Sequence, residues 1–431
     1  MTVSSSISSA KINIAGGGIA GLIAAIELAR AGAKVALFEQ AAELGGRART
    51  RKVDGFFLNQ GPHALYIRGA FLRELKRLGI PVSGQKTRPT EPQVIWQGGL
   101  HRLPDSLASL VTGSFFSLPD RLDFARSQKA LADGATAGQS FEQWLDSQAF
   151  SPPVRATMEG IARVASYANA PAVVDAKATL EQMQRGVAGV LYLDGGWSSL
   201  VDGLRDAAVG AGVEIRTGAA VGRIAVEGLR TRVVLADGGE HAADATLLAM
   251  GPKEAAALAP NVQSLAAWAG EAIPARANAL DLALERMPEG AKEFALGLDV
   301  PIYFSLHSKA ARLAPGAGAV VHIARYMAPD EAVRPDAMEE LEAVADLAMP
   351  GWRKLEKKRQ TLRGITVAHG VVRWDSARPG VVLPDAPGVF IAGDWVGEEG
   401  MISDASAASA VQAARAIVAM LERRGASRSA A

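Results

Sequence analysis

Apolar positions open the chain with a short run at Ile12, Ile14 and Ala15, break at four glycines (Gly16, Gly17, Gly18 and Gly21), and then dominate residues 19–31. Val35, Ala36, Leu37 and Phe38 form a second run that closes on Glu39. The pattern predicts strand, turn, helix and strand within about thirty residues, with Gly32 ending the helix. A similar unit closes the chain: an apolar strand over 389–392, a turn at Gly393, and an alanine-rich helix from Ser403 onward. Between them, residues from about 70 to 185 carry mostly helical patterns such as "FLRELKRLGI" and "PPVRATMEGIARVASYA", and strand-like runs follow, among them "RVVLADGG", "YFSLH" and "AVVHIARYM". The apolar run "LASLVTGSFFSL" reads as a buried helix pair in preference to a lipid-facing surface, because glycine and serines interrupt its stripe.

Glycine lacks a Cβ, so it permits a tight turn and lets a ligand approach the backbone. In a strand–turn–helix unit Gly16 makes the turn, Gly18 lets the chain pass close to a pyrophosphate, and Gly21 lets the helix rest on the strand, flanked by Ile19 and Ala20. Backbone N–H groups and the helix dipole then favour phosphate at the helix start. Glu39, beside Gln40 at the end of the second strand, is placed to accept hydrogen bonds from a ribose diol. Just downstream "AELGGRART" sets Gly45 and Gly46 before Arg47, a permissive turn with a cation suited to a pyrophosphate. The unit predicts a dinucleotide site.

Together "GGGIAGL", Glu39 and "LGGRART" resemble the FAD-binding start of the flavin amine oxidase, phytoene desaturase and protoporphyrinogen oxidase superfamily. The resemblance runs in order along nearly the whole chain. It implies FAD, which is expected to be non-covalent because no cysteine can link the ring, with Gly61, Pro62 and His63 of "NQGPHALY" beside the flavin ring and Val221 at the adenine. In the closing signature "GVFIAGDWVGEEGMISDASAASAVQAA" it places Gly393 and Asp394 near the ribityl chain or the phosphates, and Met401 and Ile402 at the start of a helix under the ring. A carboxylate repels phosphate, so a ribityl hydroxyl is the better partner for Asp394.

The implied fold is α/β: a discontinuous Rossmann-type FAD-binding domain (1–70, 186–275 and 365–431) with an inserted α+β substrate domain (71–185 and 276–364). At 431 residues and 49% hydrophobic the chain can bury a large core. A formal net charge of +1, with no basic block carrying interleaved aromatics, argues against a nucleic-acid partner. Without cysteine there is no disulfide, thiolate metal ligand or flavin–cysteine bond, and the six histidines show no metal-ligand spacing, so no metal is expected. No apolar stretch is long enough for a transmembrane segment. "MTVSSSISSA" is expected to be a short disordered tail rather than a signal peptide, so the expected location is cytoplasmic, with peripheral membrane contact left open.

No nucleophile motif is present, so the chemistry is expected to lie with the cofactor, and no catalytic side chain is assigned; His63 and Trp395 are candidates to face the reacting position. The middle and closing segments look more like the desaturase and protoporphyrinogen oxidase side of the superfamily. Only 6% of residues are aromatic, which speaks against the aromatic cage common in amine oxidases. The expected reaction is hydride transfer to flavin from a largely apolar small molecule, with the electron acceptor left open. Amine oxidation is the alternative. A non-catalytic escort protein of the same fold is a remote one, because escort factors have degenerate cofactor segments.

Overall fold

The computed structural model describes residues 5–87, 89–228 and 230–429. A single helical turn, Ser5–Ser8, leads to β1 (Lys11–Ala15), α1 (Ile19–Arg30) and β2 (Lys34–Phe38). Further along lie β3 (Gln93–Trp96), β4 (Gly99–Arg102), α2 (Leu107–Thr112) and α3 (Leu118–Asp133). Strands β5 (Glu214–Arg216) and β6 (Ala245–Leu248) precede β7 (Ala275–Leu284), β8 (Phe294–Gly297), β9 (Ile302–Leu306) and β10 (Ala319–Met327). The chain closes with α4 (Ala337–Ala348), β11 (Glu356–Ala368), β12 (Val389–Ile391) and α5 (Ile402–Ser429).

Two sheets dominate. The first is parallel throughout, in the order β5-β2-β1-β6-β12, and so draws its strands from both ends and the middle of the chain. Parallel sheets are covered on both faces and their strands read as continuous apolar runs, as β1, β2 and β6 do. Leu22, Ile23, Ala24, Ala25, Ile26 and Leu28 of α1 are fully buried between this sheet and its neighbours, which include α5. This is the Rossmann-type α/β architecture anticipated from the sequence.

The second sheet has seven strands, β11-β7-β10-β9-β8-β3-β4, and only its β8–β3 pairing is parallel. Its two faces differ. Leu280, Leu282 and Leu284 of β7 with Val321 and Ile323 of β10 cluster with Leu341, Val344 and Ala345 of α4. Alternation sends Ala277, Ala279 and Asp281 of β7, His322, Ala324 and Tyr326 of β10, and Tyr303 and Ser305 of β9 to the opposite face.

Two expectations are corrected and a third is refined. The N-terminal segment is not simply a tail: Ile7 is 4% exposed and joins the core of the first sheet, while residues 1–4 lie outside the described residues. The region 70–185 is mostly helical, as expected, with the addition of a hairpin of β3 and β4 that joins the second sheet. These four-residue strands carry no long alternation, and the partner of β3 lies two hundred residues downstream. Finally, "LASLVTGSFFSL" is not a buried pair. Leu107 and Val111 of α2 and Leu118 and Leu122 of α3 are 79, 60, 74 and 75% exposed, and only Phe116 of this run packs fully inside.

Candidate functional site

A cavity of about 570 Å³ opens at the carboxyl ends of β1, β2, β6 and β12, where open parallel sheets bind ligands. Of the residues assigned to the cofactor in the sequence, all line it except Gly21, Gly61 and Met401. Those three stand behind the wall. A Cβ on Gly21 would lie 1.9 Å from the Gly16 carbonyl oxygen, so this glycine sets the contact of α1 with the turn rather than touching a ligand. A Cβ on Gly61 would meet Ile365, and Met401 lines a small neighbouring void.

The turn behaves as its glycines require. Gly16 has φ +107°, its N–H bonds the Phe38 carbonyl at 2.8 Å, and a Cβ there would strike Ala249. Gly18 begins α1, and no protein atom comes closer than 4.0 Å to where its Cβ would be, which leaves the cavity side open for a close ligand. Glu39 is 8% exposed and held from both oxygens: Gly17 N–H donates to Oε2 at 2.8 Å and Ala41 N–H to Oε1 at 2.9 Å. Gly45 and Gly46 take φ +107° and +54°, turning the chain so that Arg47 reaches the cavity.

Arg47 is not wholly free for a phosphate. Its Nη1 donates to Asp394 at 2.8 Å and to the Val367 carbonyl at 2.6 Å, while Nε and Nη2 have no protein partner among the described residues. Asp394, 1% exposed, also accepts from the His369 backbone N–H at 2.9 Å and from His369 Nδ1 at 3.0 Å. Burial would raise its carboxyl pKa, but the Arg47 charge and the hydrogen bonds from His369 and Arg47 prevail and hold it well below the usual carboxylate range. Asp394 therefore stays ionised and organises both neighbours. Nothing in the local sequence singled out His369, because its partner Asp394 lies 25 residues downstream, beyond β12.

The far wall is aromatic. Tyr66, Tyr167 and Trp197 line it with His63, Val367 and Ile402. Tyr167 (φ +58°) and Ile402 (φ +56°) are non-glycine residues in the left-handed region. For a β-branched side chain that costs on the order of 1–3 kcal/mol, and such strain concentrates at functional sites. His63 rests 4.7 Å from the Trp197 ring, with Nδ1 at 2.8 Å from the Gly61 carbonyl. A carbonyl only accepts, so Nδ1 carries the hydrogen, and burial lowers the imidazole pKa to about 4. Trp395 faces elsewhere: its Nε1 donates to the Met250 carbonyl and its ring sits in the core near Trp268.

Behind this wall lie the remaining tyrosines. Tyr167 stacks on Tyr326 at 6.2 Å, and the Tyr192 hydroxyl bonds that of Tyr303 at 2.5 Å. All five tyrosines of the chain are thus buried in one region. The low aromatic content concealed a local concentration.

The turn, the two glycine pairs, the held carboxylate and the open approach at Gly18 fit an FAD dinucleotide. The chain is 24% identical over 272 residues to 4,4'-diapolycopen-4-al dehydrogenase of Metabacillus indicus, covering 55% of each, and 50% identical over 58 residues to carotenoid 3,4-desaturase of Haloarcula japonica, 14% of this chain and 12% of that one. It spans about half the length of the first of these relatives and far less of the second. An oxidoreductase from Methanosarcina mazei has the same fold, with a TM-score of 0.75, 20% identity, and coverage of 93% of this chain and 98% of that one. A family model described as flavin containing amine oxidoreductase matches residues 19–418. FAD is the cofactor of this chain, which belongs to the flavin-containing amine oxidoreductase family.

Proposed function

We propose that the cavity holds FAD non-covalently and that the chain oxidises a largely apolar molecule, as a dehydrogenase or desaturase of C–C bonds. In this reading Glu39 accepts from the ribose diol and Val221 touches the adenine. The first N–H groups of α1 and the free nitrogens of Arg47 meet the pyrophosphate, and Asp394 accepts from the ribityl chain. His63 and Ile402 border the ring. Bound flavin supplies the hydride acceptor. The protein positions the C–H bond, excludes water and holds the charge pattern fixed.

The observation that carries the reading is the character of the wall. Tyr66, Tyr167, Trp197, Val367 and Ile402 offer apolar surface, while Glu39, Arg47 and Asp394 are all engaged by protein partners. Burial contributes about 25 cal/mol per Å² of apolar surface, enough to seat a substrate without ionic anchors. Of the two curated relatives, one is named for a 4,4'-diapolycopen-4-al dehydrogenase and the other for a carotenoid 3,4-desaturase, and the desaturase name supports the same class. The aromatic wall itself favours a second reading, oxidation of an amine held between rings. Anaerobic mixing with apolar polyenes on one side and with simple amines on the other decides between them. Loss of the oxidised flavin absorbance with polyenes alone is expected, and bleaching by amines alone would reverse the order.

Leu107, Val111, Leu118 and Leu122 support a further part of the reading, peripheral contact with a lipid surface. Among the described residues no helix is long and apolar enough to cross a membrane. Co-flotation with phospholipid vesicles should be seen for the native chain and lost when all four are changed to serine.

A further inference from the structure

The inner face of the second sheet carries an anomaly. A sheet that packs leucines and isoleucines against α4 on one side buries Asp281, His322, Ser305, His307 and Gln360 on or beside the other, each at most 6% exposed. Buried polar groups cost stability unless paired, so such a cluster calls for a reason. Asp281 and His322 stand directly opposite each other in the β7–β10 register. Asp281 Oδ1 lies 2.5 Å from His322 Nδ1, while Oδ2 accepts from Gln360 Nε2 at 2.9 Å. One proton is therefore held between Oδ1 and Nδ1, and Nε2 is the position of this pair left to gain or lose another. That atom is buried and has no protein partner among the described residues.

The pair is tied to the cavity. Gln360 Nε2 also donates to the Asn59 carbonyl at 2.7 Å, which leaves its Oε1 to accept from Gln60 Nε2 at 3.2 Å, and Gln60 lines the cavity. Two other imidazoles are close. His307 stacks on His322 with centroids 5.2 Å apart, flanked by Tyr192 at 4.2 Å and by the Tyr303 hydroxyl at 3.5 Å from Nε2, and His63 stands on the cavity wall. Neither has a carboxylate partner among the described residues, and burial lowers the pKa of both. Of the groups facing His322 among the described residues, Asp281 is the one carboxylate, and burial pushes the tyrosines Tyr192 and Tyr303 upward. His322 is thus the one of the three imidazoles that combines a carboxylate partner with an unpartnered ring nitrogen among the described residues.

We propose that the Asp281–His322 pair is a buried proton acceptor that takes up one proton when the cofactor in the adjoining cavity is reduced. The inference rests on the oxidoreductase reading and adds to it. Oxidation of a CH–CH unit sends one hydrogen as hydride to the cofactor and releases its neighbour as a proton, the electron pair of the second C–H bond becoming the new C=C bond. Two electrons thereby enter the cavity, and a proton bound at Nε2 offsets their charge. It is released to solvent when a two-electron acceptor reoxidises the cofactor. His322 is a positioning and charge-balancing residue here, because it stands behind the wall.

The test needs no organic substrate, so failure to oxidise a polyene leaves it intact. The reduction equilibrium of the FAD-loaded protein is measured, with dithionite as reductant, against a reference dye whose own reduction takes up no proton from pH 6.5 to 8.5. Each proton taken up shifts that equilibrium by about tenfold per pH unit. The wild type is expected to shift roughly hundredfold per unit, and His322→Gln and Asp281→Asn roughly tenfold. A wild-type slope in His322→Gln, or a tenfold slope in the wild type, overturns the proposal. Should the variants fail to retain FAD, histidine ¹⁵N spectra of the wild type decide: His322 must pass from one N–H to two on reduction, and an unchanged ring overturns it.

Discussion

A single carboxylate shows how much a side chain's meaning depends on what it already holds. Glu39 was legible in the sequence because its partners are local: a strand end, a glycine turn and a spacing. The structure adds that Gly17 N–H and Ala41 N–H fix both oxygens, so an amide is no substitute. In Glu39→Gln one donor would face another donor, and the charge-assisted bond to the ribose would be lost. FAD affinity should fall by about 1.5–3 kcal/mol, roughly ten- to hundredfold, by fluorescence titration of the apoprotein. Unchanged affinity would remove Glu39 from the ribose site. His369 and His322, by contrast, acquire their roles only when a distant carboxylate is folded against them. No local pattern marks such residues.

Between elements, contacts of single atoms decide. Gly21→Ala would drive a Cβ to within 1.9 Å of the Gly16 oxygen and lever α1 off the turn, so we expect about 1–3 kcal/mol of destabilisation and loss of FAD. Gly210→Ala, in the helix Ser198–Gly210 with nothing within 4 Å of its Cβ, should be neutral or up to about 1 kcal/mol stabilising, and urea midpoints compare the two. A second contact makes stability depend on pH. Asp404 of α5 accepts from Phe71 N–H at the start of the helix Ala70–Leu78, while its Oδ2 is buried without a protein partner among the described residues. Burial raises its pKa from 3.8 to about 6, against the opposing pull of the Phe71 N–H and Arg185. A folded-state pKa above the unfolded value stabilises fully below the unfolded pKa, and that contribution disappears as pH rises through the folded one. The native chain should thus lose up to about 3 kcal/mol between pH 4 and pH 7 from this group, and Asp404→Asn should flatten that slope in denaturant midpoints. Identical slopes would show that Asp404 does not titrate there.

At the scale of the molecule, the strand–turn–helix units at the two chain ends were readable because apolar periodicity and glycine spacing are properties of contiguous residues. The hairpin of β3 and β4, the exposure of α2 and α3, and the gathering of five tyrosines were not, because each is set by where chain segments far apart in sequence meet. The same fact gives the last prediction. The cavity wall is assembled from the first turn, the Gly45–Arg47 loop, Trp197, Val221, the segment after β6, His369 and the start of α5. A ligand spanning them joins pieces that the apoprotein must hold by packing alone. Binding only to the folded state adds about 2.7 kcal/mol when free FAD is a hundredfold above its dissociation constant. Removing FAD should therefore lower the thermal midpoint and speed proteolysis of the loops around Gly45 and Gly251, and adding FAD back should restore both in proportion to occupancy. A midpoint independent of FAD would mean that the cavity is preformed but does not bind the cofactor.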